Sequence, residues 1–175
     1  MSRTLPAETV DTPVEFQLIM GAKWSLKSQA STDKTWSLVV VYRGYHCPVC
    51  KKQLKTLSGQ LSDFAEAGVA VVAVSMDSEE RASKAYDEWA LGDLPVGYGL
   101  SKEFAKTYGL YLSESIKDDE PKLFTEPALL LFRGETLHAA WLQSLPFARP
   151  AFDELLSGIK YIDKEDYPAR GDVRP

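Results

Sequence analysis

Cys47 and Cys50 are the only cysteines of the chain, and they stand three residues apart in the run His46-Cys47-Pro48-Val49-Cys50. Residues at that spacing on a helix are neighbours, with Cβ atoms roughly 5 to 6 Å apart, so a modest adjustment reaches the roughly 3.5 to 4.5 Å that a disulfide needs. The chemistry this pair predicts is reversible exchange between a dithiol and a disulfide. Cys47 falls at the N-cap of a predicted helix with Pro48 at its first position, so unpaired backbone N–H groups and the positive helix end face the sulfur and favour its anion. Arg43, His46, Lys51 and Lys52 add positive charge nearby, and cysteines in such motifs titrate roughly 1 to 5 units below a free thiol. Cys47 is therefore expected to be the more acidic and more accessible, attacking thiol, and Cys50, a turn deeper, the resolving one.

Two other readings compete. Two buried cysteines can fall three apart without function, or the pair can hold zinc. Zinc needs two further ligands, and the two histidines are His46, adjacent to Cys47 and awkwardly placed to share its metal, and the distant His138.

The pair must be positioned by the elements around it. Trp36 to Tyr42 (WSLVVVY) is a continuous β-branched and aromatic run, which predicts a central strand covered on both faces. From Pro48 to about Ala67, Cys47, Cys50, Leu54, Leu57, Leu61 and Phe64 recur in steps of three and four, the stripe of one helix. Gly68 ends it, and Val69 to Ser75 is a second buried strand. A helix from Ser78 to about Leu91 follows, with Asp77 as N-cap and Glu80 as its reciprocal partner, then a short strand Val96 to Leu100 and a brief helix from Ser101 to Gly109. Ser113 to Lys122 is acidic and reads as a surface loop. Pro127 introduces a hairpin, Ala128 to Phe132 and Thr136 to Leu142, and the last helix begins near Pro150. Upstream, Phe16 to Met20 and Lys23 to Ser28 flank Gly21-Ala22 as a strand pair. The expected fold is a single α/β domain over residues 1–175 with a mixed sheet flanked by helices, an N-terminal strand-pair extension, and loose termini at 1–13 and 164–175.

The CPVC motif resembles those of glutaredoxins and thioredoxin-like oxidoreductases. The longer stretch Val39 to Leu54 (VVVYRGYHCPVCKKQL), with Thr125 to Phe132 and Gln143 to Pro150 (QSLPFARP), resembles peroxiredoxin-like proteins of the alkyl hydroperoxide reductase and thiol-specific antioxidant group, over most of the chain. The resemblance implies a thioredoxin-like fold and a thiol-based oxidoreductase. The two relatives assign the roles differently. Thioredoxin-like enzymes place the nucleophile at Cys47, whereas the peroxiredoxin pattern Pro-x-x-x-Thr-x-x-Cys superimposes on Arg43, Cys47 and Cys50 and makes Cys50 the peroxidatic residue. Arg43 replaces its proline and Cys47 its threonine, so disulfide exchange is expected to outrun peroxide reduction.

The resemblance also singles out supporting residues. Pro127 resembles the cis-proline that faces the cysteine pair in thioredoxin-like folds. Glu126 beside it is a proton acceptor or, on the reading favoured here, a solvated carboxylate. Arg43 and Arg149 are candidates to steady a thiolate or a peroxide oxygen, Arg149 reading equally well as a surface arginine near a helix start. His46 is a thiolate partner or a solvent-exposed loop histidine.

Composition narrows the class. The 175 residues carry a formal net charge of -5 and a sequence pI near 5.1, without the concentrated basic surface that nucleic acid demands. No apolar run approaches the roughly 18 to 20 residues of a membrane span. The start lacks a secretory pattern and two cysteines do not build a disulfide scaffold, so a reducing cytoplasm is expected. No metal or organic cofactor is implied. The expected partners are a disulfide or peroxide substrate and an external thiol reductant, with a homodimer open. A redox-sensing or zinc-binding module of the same fold is the non-enzymatic alternative.

Overall fold

The computed structural model describes residues 3–31 and 35–175. In chain order the elements are β1 (Glu15–Leu18), β2 (Lys23–Ser25), α1 (Leu26–Ala30), β3 (Trp36–Val41), α2 (Pro48–Gly59), α3 (Leu61–Glu66), β4 (Val69–Val74), α4 (Glu79–Trp89), β5 (Val96–Tyr98), α5 (Lys102–Tyr108), β6 (Leu112–Glu114), β7 (Leu123–Thr125), β8 (Ala128–Arg133), β9 (Thr136–Leu142) and α6 (Phe152–Glu165). Seven strands form one mixed sheet in the order β2-β1-β5-β4-β3-β8-β9. β3 runs parallel to β4 and antiparallel to β8, so the strand that leads to the cysteines is central, and all six of its residues are buried.

Because side chains alternate along a strand, β3 feeds two cores. Trp36, Leu38 and Val40 face a layer shared with α2, α4 and α6, to which Cys47, Cys50, Leu54, Leu57 and Phe152 belong. Val39 and Val41 face the other layer, with Tyr108, Leu130 and Phe132. Each large apolar side chain fully buried in this way stabilises the fold by roughly 1.5–3 kcal/mol. Among the described residues no helix is long and apolar enough to cross a membrane.

Several boundaries differ from the sequence reading. The helix expected from Pro48 to about Ala67 is two helices, interrupted at Gln60, whose φ is -111° and whose N–H closes a tight turn onto the Leu57 carbonyl. Gly59 lacks a side chain to favour the helix there, and the interruption re-aims Phe64 against Phe152, ring centroids 6.2 Å apart. Ser78, not Asp77, caps α4, its hydroxyl accepting from the Arg81 N–H, and Glu80 pairs with Lys84 instead of closing a capping box. Lys23 starts a strand that is only three residues long, because Ser25 caps α1. The acidic stretch 113–122 is framed by a ribbon in which β6 and β7 pair antiparallel. Pro150 precedes the cap of α6, which is Ala151.

The expected loose lead-in is tied down. The Thr4 N–H donates to the Thr107 carbonyl, Glu8 and Leu137 are joined backbone to backbone, and Arg174 of the tail pairs with the Glu8 carboxylate. Met1 and Ser2 lie outside the described residues.

Candidate active site

β3 ends at Val41, and the six residues that follow turn the chain into α2. Gly44 makes the turn at a φ of +136°, a conformation that residues with a Cβ rarely adopt. A Cβ there would also lie 2.8 Å from Asp77 Oδ2. Asp77 sits this close because it braces the turn: Oδ2 accepts from the Tyr45 N–H at 2.7 Å and Oδ1 from Arg81 Nε at 3.0 Å. The Cys47 N–H donates to the Gly44 carbonyl, which sets Cys47 at the N-cap of α2 with Pro48 behind it.

The Cys47 sulfur does the work of a capping side chain. It accepts from the Cys50 N–H at 3.2 Å, one of the donors that a helix start leaves without a partner. The Cys50 thiol also points at it, and the Arg149 and Arg43 guanidinium groups lie beside it. Together these hydrogen bonds and charges outweigh burial and hold Cys47 down at about 5, an anion at neutral pH. Burial, and then the neighbouring Cys47, pushes Cys50 up. Arg149 Nη2 is nearer Cys50 Sγ, at 3.1 Å, than Cys47 Sγ, at 3.6 Å. The charge still belongs on Cys47, because only that sulfur receives the backbone donor and the neighbour's thiol proton. The pair therefore carries one negative charge and one proton.

One expectation about the cysteines fails. Cys47 is no more accessible than Cys50, at 1% and 0% relative exposure. The arms that carry Arg43 and Arg149 close over the helix start that was expected to be open.

Arg43 leaves the end of β3 and enters a carboxylate pocket. Its Nε is 3.1 Å from Glu126 Oε2, its Nη2 3.8 Å from Glu120 Oε1, and its guanidinium lies 4.8 Å from the centre of the Phe124 ring. Glu126, read as a solvated carboxylate, is buried and also accepts from the Ser113 hydroxyl; an ion-paired carboxylate can be buried where a free one would stay in water. His46 is half-buried with its ring edge toward Phe124, and burial followed by Arg43 lowers its pKa, so it stands neutral at pH 7. Neither of its ring nitrogens has a partner in the protein. His138 packs on Trp36, at the end of β3 opposite the cysteines.

The Glu126–Pro127 bond is trans, since the described residues contain no cis peptide bond. The Glu126 N–H donates to the Tyr111 carbonyl, and the chain runs on into β8, where Ala128 pairs with Val41. Pro127 is thus not the cis-proline expected to dock a substrate beside the cysteines.

Arg149 is no free surface arginine. Besides the two sulfurs it meets Gln53 Oε1 through Nη1 and the Pro146 carbonyl through Nε. Gln53, Gly44 and Glu120 join the site without having been expected there, and Asp77, expected as a helix cap, braces the turn before Cys47 instead. Gln53 carried a signal, lying one turn past Cys50 on α2; Gly44 carried another, as a glycine between a strand end and a helix cap.

A thiolate at a helix N-terminus, with a second thiol against it and two guanidinium groups alongside, on a thioredoxin-like sheet, defines a thiol-based oxidoreductase. The AhpC/TSA family model matches residues 10–137, and the chain belongs to that family. No curated protein matches the chain. Among solved structures, the peroxidoxin BcpB of Mycobacterium tuberculosis is 17% identical with a TM-score of 0.73, over 91% of this chain and 99% of that one. A peroxiredoxin 6 of Arenicola marina is 17% identical with a TM-score of 0.74, over 94% and 76%. The bacterioferritin comigratory protein of Xanthomonas campestris, described by its alkyl peroxide reduction activity, is 20% identical with a TM-score of 0.68, over 91% and 96%.

Proposed function

We propose that the enzyme cycles Cys47 and Cys50 between dithiol and disulfide, with Cys47 attacking. The observation that carries this reading is the Cys47 sulfur itself, which takes the Cys50 backbone N–H at 3.2 Å with Arg149 beside it. The thiolate attacks one sulfur of a small disulfide, forming a mixed disulfide and expelling the other half as a thiolate. Cys50 then loses its proton and attacks the Cys47 sulfur, which closes the Cys47–Cys50 bond and releases the second half. An external thiol reductant returns both electrons. Burial of both sulfurs favours a small oxidant over a bulky one. A reducing cytoplasm and a homodimer complete the reading.

The same burial and the paired guanidinium groups favour a second reading, reduction of a small alkyl peroxide, an activity for which the Xanthomonas campestris neighbour is described. There the sulfur attacks the terminal oxygen, the O–O bond breaks, the alcohol leaves, and the resulting sulfenic acid condenses with the other thiol, losing water. In the peroxiredoxin register the attacking residue is Cys50.

Stopped-flow oxidation of wild type, Cys47→Ser and Cys50→Ser by a small disulfide and by an alkyl peroxide separates these. Cys50→Ser is expected to form a stable mixed disulfide and Cys47→Ser to be inert. The wild-type rate should rise with pH through about 5 and stay flat from about pH 6 to 8, because the thiolate is complete there. A Cys47→Ser protein that reacts with peroxide at the wild-type rate overturns the assignment in favour of Cys50.

A further inference from the structure

Arg149 reaches the sulfurs from the 143–150 loop, where no regular element holds the backbone. The residue before it, Ala148, has a φ of +55°, in the left-handed region where a Cβ is disfavoured. Ala148 is solvent-exposed, so packing of its own side chain does not impose the conformation. Gln143 does grip it. The Gln143 side-chain Nε2 donates to the Phe147 carbonyl at 3.1 Å and to the Ala148 carbonyl at 2.9 Å. These oxygens belong to the two peptide groups on either side of the Ala148 Cα, so one amide holds the two planes whose rotation defines φ and ψ. Gln143 is itself anchored, its backbone N–H donating to the Pro127 carbonyl at the head of β8.

We propose that Gln143 is a positioning residue whose side-chain amide keeps Ala148 left-handed and thereby holds Arg149 on the two cysteine sulfurs. The inference rests on the reading of Cys47 as a thiolate that Arg149 stabilises. The charged and titratable groups gathered around Cys47 are Cys50, Arg43, His46 and Arg149, with Glu126 and Glu120 behind Arg43 and Asp77 behind the turn. Gln143 is neutral and is not among them. A change in Cys47 titration on replacing it must therefore pass through Arg149.

The test is the pH dependence of Cys47 alkylation, with the modified residue identified by mass spectrometry, for Gln143→Leu, Gln143→Leu with Ala148→Gly, Ala148→Val and Arg149→Met. Gln143→Leu should raise the midpoint by about one pH unit, which slows alkylation at pH 5 about fivefold. Glycine tolerates the left-handed region, so adding Ala148→Gly should restore most of that rate. Ala148→Val, which burdens the same torsions without touching Gln143, should reproduce the loss, and it carries the test if Gln143→Leu does not fold. A Gln143→Leu profile on the wild-type curve, or no rescue by glycine, overturns the positioning role while leaving the proposed function intact, provided Arg149→Met still shifts the curve. An unshifted Arg149→Met profile removes the stabilising role of Arg149 and this inference with it.

Discussion

Two arginines approach one thiolate from opposite sides of the cysteine motif, and their surroundings differ. Arg43 comes from the end of the central strand β3 and, besides its hydrogen bond to the Cys47 sulfur, shares its charge with Glu126, Glu120 and the Phe124 ring. Arg149 comes from an irregular loop, and among the described residues no carboxylate pairs with it; its charge meets the two sulfurs, Gln53 and a carbonyl. A guanidinium shared with buried carboxylates acts mainly as a structural cation, whereas one without them is left to stabilise an anion that appears during reaction. The same residue type therefore serves mainly the fold in one arm and mainly the chemistry in the other.

That contrast can be broken most directly at Glu126. Replacing it by Leu strands Arg43, only 15% exposed, with Glu120 at 3.8 Å as its remaining partner. Breaking a buried pair costs about 3 kcal/mol or more, which urea denaturation at pH 7 would register, while Arg149→Met should cost only about 1.4 kcal/mol for each unit by which it raises the Cys47 titration. Equal losses would end the distinction between the arms. A smaller effect, read on chemistry instead, is expected from Arg149→Met, which should raise the Cys47 titration by about 1 unit. Arg43→Met should move it less, since Arg43's charge is already largely neutralised.

A smaller effect sharpens the comparison of the two backbones. Gly44→Ala places a Cβ on the Asp77 carboxylate at a φ of +136° and should cost about 1 to 3 kcal/mol. Ala148→Gly, in the irregular arm, should be neutral to within about 0.5 kcal/mol. Thermal denaturation of the two variants reads both. The smallest change is expected at His46: its ring is neutral at pH 7 and its nitrogens have no partner in the protein, so His46→Leu should shift the Cys47 titration by less than about 0.5 unit. A larger shift would make His46 a thiolate partner after all.

What could be read before folding was whatever depends on neighbours in the chain. The WSLVVVY run specifies a two-sided strand by composition. Cys47 at an N-cap, Pro48 behind it and Cys50 three residues on specify which sulfur receives the helix donor, a contact made within one turn. Helix ends were less legible where two acceptable residues stood side by side, as at Asp77 and Ser78, because the choice depended on whether the aspartate was needed elsewhere to brace Tyr45.

The long-range half of the site had no local signature. Arg149 meets Cys50 across 99 residues and Cys47 across 102, so its spacing in the chain carries no information about the contact. Glu126 looked like a solvated carboxylate because acidic side chains usually are, and only the arrival of Arg43 from β3 makes its burial favourable. The cysteine pair and its polarity follow from covalent order and the geometry of one helix turn. The state of the site, sulfurs out of solvent with one arginine spent and the other available, follows from which loops the sheet order brings over that turn, since charges act through space and not along the chain.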